Sequence, residues 1–513
     1  MNNNKKSGAI KTVALMVFAM CISKVLGMLR SVLMAHSYGI SHEATVFSEA
    51  SRIPLTFFDL LLGSAVLGCF IPIYNSCKDK TRPDGKSESD LFASVFLNFI
   101  LLLTTLLAGL GMIFARPILS VIAAGLDTSL IDMAVEPLRI MFPMVIFIGT
   151  TYTLVGVLQS KDEFLIPAFV SAISNLLIIV YFVFLNKYFG IIGLSVCYTL
   201  SWLVQLITLI PALIKNKFRY FLHLDFKNKS FIEALKMTPP IMLGAWLTPV
   251  SMLLSLYFAA FVKTDGAVAS FEYANSLFTI IVGILTYGVC NFIFPRLSRL
   301  SGDDPKGFIK TASDSLFYSF MIILPVMTSI PVVAEQVVSI IYQRGEFDAV
   351  AAQHVTSTLK ALVPGMLGFT TVELMNRVFY AQKTPYVPMT AAICGIVVNA
   401  VSSYIMIIRM GMGLYAFGIS FALGLCGAAL VLIIFAAVKL RGIFDKAFLL
   451  RILKLIVCSA VGYVVMLGFD KIISPSPFTD GFIMNVITGG GIFIVGTAVY
   501  LAACKLTGLL EKE

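Results

Sequence analysis

The stretch Cys21-Ile-Ser-Lys-Val-Leu-Gly-Met-Leu-Arg-Ser-Val-Leu-Met-Ala-His36 lies inside the first long apolar segment of this chain. It carries two cations, Lys24 and Arg30, and no acidic residue. A cation near the centre of a membrane helix costs about 2.5–3.5 kcal/mol, so it is usually tolerated where it meets water or an anion. Positions six apart lie about 120° apart around a helix, which lets both cations line one side. Two interpretations are open: a cavity for an anionic substrate, or snorkelling to the membrane interface.

The composition is that of a membrane protein. The 513 residues are 58% hydrophobic and 13% charged, with a mean hydropathy of +0.92, whereas soluble domains are about 45–50% apolar. A spanning helix needs roughly 20 mainly apolar residues, and fourteen stretches qualify. We therefore predict an all-α polytopic membrane protein with about 14 transmembrane helices. The predicted spans are 10–36, 45–75, 91–115, 134–159, 165–186, 190–214, 234–262, 268–295, 310–334, 353–381, 386–408, 412–438, 447–469 and 481–505.

The chain repeats itself with a period near 221 residues. Arg139–Pro143 aligns with Lys360–Pro364, and Pro167 aligns with Pro388. Each unit holds six spans, and an even number returns the chain to its starting side, so we predict two like-oriented lobes around a central cavity, an alternating-access design. The predicted domains are a six-helix lobe at 1–220, a second six-helix lobe at 221–445, and two additional transmembrane helices at 446–513.

The formal net charge of +10 is concentrated in short loops that follow even-numbered spans. This pattern places those loops and both termini in the cytoplasm, and it does not indicate nucleic-acid binding. The basic residues are Lys78, Lys80, Arg82 and Lys86 after the second span, Lys215, Lys217, Arg219, Lys227 and Lys229 after the sixth, Arg296, Arg299, Lys306 and Lys310 after the eighth, and Lys439, Arg441 and Lys446 after the twelfth.

Motifs for catalysis and for metal binding are missing from the sequence. The nine cysteines lie mostly in apolar runs without a C-x-x-C pair, and the four histidines are scattered. There is no G-x-S-x-G, no P-loop and no G-x-G-x-x-G in a strand–turn–helix context. We therefore expect no enzyme activity, no metal site and no bound cofactor.

The second span carries further charges. Glu49 and Arg52 are three residues apart and can pair on one helical face, and Asp59 lies seven beyond Arg52. These groups suit either an ion-pair set that joins the first two helices or a cavity wall of net positive charge. Glu272, near the outer end of the eighth span, is predicted as a gate residue.

The second lobe carries mainly hydroxyl and amide groups. Ser255, Asn399 and Ser403 could coordinate a cation weakly through their oxygens, although interhelical hydrogen bonds are the favoured interpretation. Glu373 and Arg377, four apart in the tenth span, are interpreted as a structural ion pair.

Five motifs along the chain are typical of one membrane-protein family. They are SKVLGMLR (Ser23–Arg30), FIPIY (Phe70–Tyr74), FPRLSRL (Phe294–Leu300), RGEFD (Arg344–Asp348) and RVFYAQKTPYVP (Arg377–Pro388). With these motifs the chain resembles the MurJ group of lipid II flippases, in the multidrug/oligosaccharidyl-lipid/polysaccharide exporter superfamily. The resemblance implies movement of an undecaprenyl-pyrophosphate-linked peptidoglycan precursor from the inner to the outer leaflet of a bacterial plasma membrane.

The resemblance also implies roles for single residues. Lys24 and Arg30 match two cavity cations of the family, with lysine in place of the more usual arginine at 24. The family has arginines where this chain has Phe58 and Ser276, so Ser276 is predicted as a substrate contact and Arg52 as a substitute cation. Some members bind sodium at positions that match Ser255, Asn399 and Ser403.

These implications leave alternatives open. Transport would be coupled to the membrane potential or to a monovalent cation, and the partners would be the lipid-linked precursor, membrane lipids and cell-wall synthesis proteins. The altered positions also suit a flippase for another undecaprenyl-linked glycan. Asp59 would suit a cation-coupled multidrug exporter, and loss of the two arginines would suit a non-transporting scaffold.

Overall fold

A computed structural model describes residues 3–63, 69–77, 87–222, 225, 227–473 and 481–510 of the chain. The regular elements within these residues are all helical. The described residues of each of the fourteen predicted spans lie mainly in one helix or in consecutive helical segments, which confirms the all-α polytopic membrane fold. Residues 64–68 of the second predicted span lie outside the described residues. By length and apolar composition alone, nine helical stretches in the described part of the chain could each cross a membrane.

The helices fall into two compact units, residues Met1–Ser37 with His42–Pro249, and Tyr38–Ser41 with Val250–Glu513. The boundary lies inside α11. The first ten helices are α1 (Asn3–Tyr38), α2 (His42–Phe58), α3 (Ile71–Ser76), α4 (Glu88–Ile113), α5 (Ala115–Ile122), α6 (Thr128–Met141), α7 (Met144–Ser160), α8 (Leu165–Val180), α9 (Asn186–Lys215) and α10 (Lys229–Ala245). The others are α11 (Leu247–Ala259), α12 (Ala267–Asp303), α13 (Pro305–Tyr342), α14 (Ala349–Leu362), α15 (Gly365–Ala381), α16 (Tyr386–Ser403), α17 (Tyr415–Lys439), α18 (Lys446–Ile473) and α19 (Phe482–Leu506).

Helix boundaries repeat with the period seen in the sequence. α6 and α14 are both 14 residues long, and α7 and α15 are both 17 residues long. In each case the second helix starts 221 residues after the first. Pro143 and Pro364 separate the two helices of each pair, because proline lacks the N–H that would continue a helix. The turns that follow have a left-handed residue at matching places, Asp162 (φ +64°) and Lys383 (φ +57°).

The first unit extends past residue 220, where the sequence places the lobe boundary. The segment after α9 is hydrogen-bonded along one face of α4. The Arg219 N–H donates to the Asp90 carboxylate (3.2 Å), and the Phe221 N–H donates to the Ser94 hydroxyl oxygen (3.0 Å). Lys161 also pairs with Asp90 across 3.4 Å. A charged pair this buried, with the Asp90 side chain 7% exposed, persists only with such added hydrogen bonds, so residues 219–221 stay on the first unit.

Aromatic side chains fill the core of the first unit. Phe70 packs on Phe92 and Phe96 with ring centres 5.4 and 5.1 Å apart. Gly156 of α7 faces the same ring, and a Cβ there would lie 2.9 Å from a Phe70 carbon. Burial of an aromatic side chain of this size is a large apolar contribution to stability. Glycine therefore sets how closely α7 approaches α3.

In the second unit, small residues bring helices together. Gly368 of α15 faces the backbone of α17, where a Cβ would lie 2.8 Å from the Leu425 carbonyl carbon and the Cys426 nitrogen. The turn Tyr38–Ser41 belongs to this unit, since the Tyr273 hydroxyl donates to the Gly39 carbonyl oxygen across 3.0 Å. The Tyr500 hydroxyl of α19 donates to the Met321 carbonyl oxygen of α13 (2.9 Å).

We expect Gly368→Ala to destabilise the protein by about 1–3 kcal/mol, because the new methyl group meets backbone atoms that cannot rotate away. The control is Gly109→Ala on α4, where no described atom lies within 4 Å of an added Cβ. Thermal unfolding of the purified protein in detergent measures both. Equal midpoints for the two variants would contradict the proposed α15–α17 contact.

Candidate functional site

The packing of α1 on α8 fixes the directions of the α1 cations. The Ser23 hydroxyl donates to the Ala168 carbonyl oxygen (3.3 Å), and the Asn175 amide donates to the Ser23 carbonyl oxygen (3.3 Å). One turn later Gly27 faces Asn175, whose amide nitrogen would lie 3.4 Å from an added Cβ. These contacts assign one face of α1 to α8. Since each residue turns a helix by about 100°, Lys24 flanks that contact, about 100° from Ser23 and about 60° from Gly27 around the helix.

Lys24 and Arg30 have different surroundings. The Lys24 side chain is exposed, and Arg30 is half-buried. The Arg30 guanidinium carbon lies 5.9 Å from the centre of the Tyr198 ring of α9, within the range of a cation–π contact. Tyr198 in turn meets Phe47 of α2 edge to face, with ring centres 5.6 Å apart. Within the described residues neither cation forms an ion pair with a carboxylate, so both charges can attract an anion.

The three charged residues of the second predicted span occupy different environments. Glu49 is fully buried, which favours the structural interpretation for this carboxylate. Arg52 is half-buried and interacts electrostatically with Asp59, which is exposed. Arg52 and Asp59 are therefore close enough to interact electrostatically, whereas Glu49 is enclosed.

The backbone around Asp59 departs from a regular α-helix. Asp59 opens a π-helical turn, Asp59–Gly63, directly after α2. The indole N–H of Trp246, at the end of α10, donates to the Leu60 carbonyl oxygen across 2.8 Å. In a membrane a carbonyl that leaves the regular helix pattern needs such a partner. π-helical turns are frequent at functional sites, and the sequence contained no signal for this one.

Tyr152 of α7 lies against Phe58, a position that no pattern in the sequence indicated. Its ring stacks on Phe58, with ring centres 5.6 Å apart, and it interacts electrostatically with Asp59. Phe58, one of the positions where the family has arginine, is fully buried against this ring. The missing family arginine at position 58 could not have pointed to Tyr152, because the contact between Phe58 and Tyr152 joins residues far apart in sequence.

On α12, Glu272 and Ser276 are both half-buried. They are four residues apart and therefore share one helical face. The structure places the predicted gate residue and the predicted substrate contact on the same side of α12.

The structure brings the three predicted cation ligands of the second unit together. Asn399 donates its amide N–H to the Ser251 carbonyl oxygen (3.1 Å), and the Ser255 hydroxyl donates to the same oxygen (2.9 Å). The Ser403 hydroxyl donates to the Asn399 side-chain oxygen (3.2 Å). Asn399, Ser255 and Ser403 are fully buried. These bonds join α16 to α11, the interhelical role that the sequence favours for them.

Comparisons with known proteins agree with this fold. Residues 34–488 match the family model described as lipid II flippase MurJ. A probable lipid II flippase MurJ of Buchnera aphidicola subsp. Schizaphis graminum is 27% identical over 377 residues, which cover 72% of this chain and 73% of the relative.

Solved structures show the same fold. A lipid II flippase MurJ in an inward closed conformation has a TM-score of 0.80 at 22% identity, covering 96% of this chain and 99% of the other. An inward-facing multidrug resistance MATE family transporter of the MOP superfamily has a TM-score of 0.68 at 15% identity, covering 84% and 99%. Because the family model spans most of its length, the chain belongs to the lipid II flippase MurJ family, in agreement with the motifs in its sequence.

Proposed function

We infer that this protein moves lipid II, the lipid-linked peptidoglycan precursor, across the membrane. The observation that carries the proposal is the pair of cations on α1, Lys24 and Arg30, neither paired with a carboxylate within the described residues. The lipid II head group carries a pyrophosphate, and its two phosphates are the anions that such cations attract. Membership of the lipid II flippase MurJ family supports the same substrate.

The proposed mechanism forms and breaks no covalent bond. Moving a pyrophosphate through a low-dielectric layer is costly, and a hydrated cationic surface lowers that cost. Arg30 offers a planar set of N–H donors that matches phosphate oxygens, whereas Lys24 offers a mobile point charge. Arg52 supplies a third cation, and the negative charge of Asp59 reduces the attraction of Arg52 for an anion. Alternating access would expose this surface first to the inner leaflet and then to the outer leaflet.

We propose a bacterial plasma membrane location with both termini in the cytoplasm. The support for this orientation is the basic character of the loops after even-numbered spans. Among these, Lys78, Lys80, Arg82 and Lys86 lie outside the described residues. The substrate, membrane lipids and cell-wall synthesis proteins remain the proposed partners.

For energy coupling, we propose the membrane potential rather than a monovalent cation. The candidate cation ligands Ser255, Asn399 and Ser403 bring no carboxylate, and the Asn399 oxygen already accepts a hydrogen bond from Ser403. A net charge that moves with the head group responds to a potential at about 2.3 kcal/mol per charge per 100 mV.

A second candidate function is cation-coupled multidrug export. The observation that favours it is Asp59, an exposed carboxylate in a predicted span, since intramembrane acids often bind protons or cations. The fold it shares with a multidrug resistance MATE family transporter is compatible with this alternative.

We expect Lys24→Ala and Arg30→Ala each to reduce lipid II transport by about tenfold or more, because each removes charge-assisted hydrogen bonds to the pyrophosphate. The assay is complementation of a bacterium depleted of its own lipid II flippase, with measurement of lipid II accessible in the outer leaflet. Membrane abundance should stay unchanged. The control is Lys187→Ala, which removes an exposed cation at the start of α9. Normal transport by both α1 variants would exclude the cation site.

Asp59→Asn separates the two candidate functions. If the protein is a lipid II flippase, this variant should keep at least a third of the transport activity, since Asp59 contributes no attraction for a phosphate. If it is a multidrug exporter, drug efflux from cells should be lost in the same variant. Measuring outer-leaflet lipid II and the efflux of a cationic dye in one strain decides between the two.

Sodium replacement tests the proposed coupling. Transport should be the same in sodium and in choline medium, and it should fall when an ionophore collapses the membrane potential.

Asn399→Ala should lower thermal stability by about 1–3 kcal/mol, because it leaves buried polar partners unsatisfied. A sodium requirement that disappears in Asn399→Ala would instead establish a cation site.

A further inference from the structure

One face of α15 is polar in an otherwise apolar helix. Glu373, Asn376, Arg377 and Tyr380 follow the i, i+3, i+4, i+7 spacing of a single helical face, and none of them is fully buried. The residues between them are buried: Leu374, Met375, Val378 and Phe379 are fully enclosed. A membrane-spanning helix normally keeps such a face for water, for a ligand or for another polar helix.

An ion pair and an aromatic ring hold this face in place. One guanidinium nitrogen of Arg377 donates to the Glu373 carboxylate (2.7 Å) and to the Glu373 carbonyl oxygen (2.7 Å). The Arg377 guanidinium carbon also lies 5.8 Å from the centre of the Tyr287 ring of α12. The other guanidinium nitrogens form no hydrogen bond within the described residues. The side chains of Arg377 and Glu373 remain 21% and 22% exposed.

The cluster lies near the end of α15, since Arg377 is four residues before the last residue of that helix. An arginine that only snorkels would extend past the helix end toward water. Arg377 instead reaches back one turn to Glu373. The arrangement therefore presents N–H donors, a carboxylate and tyrosine rings together near the end of α15.

The internal repeat provides a comparison for this cluster. α7 and α15 have equal lengths and a shift of 221 residues, so Glu373 corresponds to Tyr152 and Arg377 to Gly156. Gly156 packs closely against Phe70 and carries no charge. In the first unit, the corresponding helix α7 therefore forms without an ion pair at these positions. The counterpart of Glu373, Tyr152, interacts electrostatically with Asp59 and stacks on Phe58.

We propose that Arg377, Glu373 and Tyr287 bind the sugar portion of the lipid-linked head group, an inference that rests on the proposed function. The ion pair has no net charge, so Glu373 cancels most of the attraction that Arg377 would exert on a phosphate. A donor and an acceptor side by side match the hydroxyl and amide groups of an N-acetylated sugar. Tyr287 and Tyr380 are 38% and 36% exposed. Their rings offer apolar surface to a sugar ring.

The test uses the full chain in detergent and native mass spectrometry with three ligands. These are undecaprenyl pyrophosphate, undecaprenyl-pyrophosphoryl disaccharide without peptide, and complete lipid II. Arg377→Gln should weaken binding of the two sugar-bearing lipids by about tenfold, the loss of one hydrogen bond to a charged group. Tyr287→Leu removes the aromatic surface for the sugar ring and should weaken binding of the same two lipids by about threefold or more. Binding of undecaprenyl pyrophosphate should stay unchanged. Lys24→Ala should weaken all three ligands.

A second ion pair of the same unit is the control. Lys360 pairs with Glu335 across 2.8 Å at 36% and 31% exposure, so Lys360→Gln removes an ion pair without touching the proposed site, and its ligand binding should match the wild type. If Arg377→Gln fails to fold, Arg377→Lys keeps the charge but loses the planar donor set, and it should still weaken the sugar-bearing lipids several-fold.

Three results would overturn the inference. If Arg377→Gln lost as much affinity for undecaprenyl pyrophosphate as for the sugar-bearing lipids, Arg377 would be an anion contact. If it lost affinity for complete lipid II alone, Arg377 would be a peptide contact. If every α15 variant bound all three lipids with wild-type affinity, the ion pair would be structural, and the proposed function would still stand. The proposed function itself would fail if the wild-type protein bound none of the three lipids.

Discussion

A positive charge inside an apolar helix is the constraint on which the first unit depends. Lys24 and Arg30 are costly in a membrane, and within the described residues no carboxylate pairs with either of them. The contacts of Ser23 and Gly27 with α8 therefore have a consequence beyond stability. They fix the rotation of α1, so that Lys24 is exposed while Arg30 rests on Tyr198. The helix packing determines which of the two charges is exposed and which lies against an aromatic ring.

The duplicated architecture is used differently in the two units. At matching registers, the first unit has Tyr152 and Gly156, and the second has Glu373 and Arg377. The first unit concentrates uncompensated cations on α1, while the second pairs its charges on α15. A head group that contains both pyrophosphate and sugar has the same division between charged and neutral polar parts. Repetition supplies the helix framework, and divergence at single positions supplies the chemistry.

Buried polar groups stabilise the places where the chain departs from regular helix. Asp90 and Ser94 accept hydrogen bonds from residues 219 and 221, and Trp246 satisfies the Leu60 carbonyl beside Asp59. Each of these contacts supplies a partner to a backbone group that no helix satisfies. They also hold residues 219–221 and the end of α10 on the first compact unit, which runs to Pro249.

The sequence by itself determined the all-α membrane fold, the span positions and the internal repeat, because apolar length and proline placement are local properties of the chain. It also pointed to Lys24 and Arg30, since a charge in an apolar run is conspicuous without any structure. Only the tertiary structure decided that Glu49 is buried and Asp59 exposed. It alone brought Tyr152 to Phe58, and Tyr287 to Arg377. The physical reason is that burial and ring contacts depend on helix rotation and on neighbours distant in sequence, which helical periodicity alone does not specify.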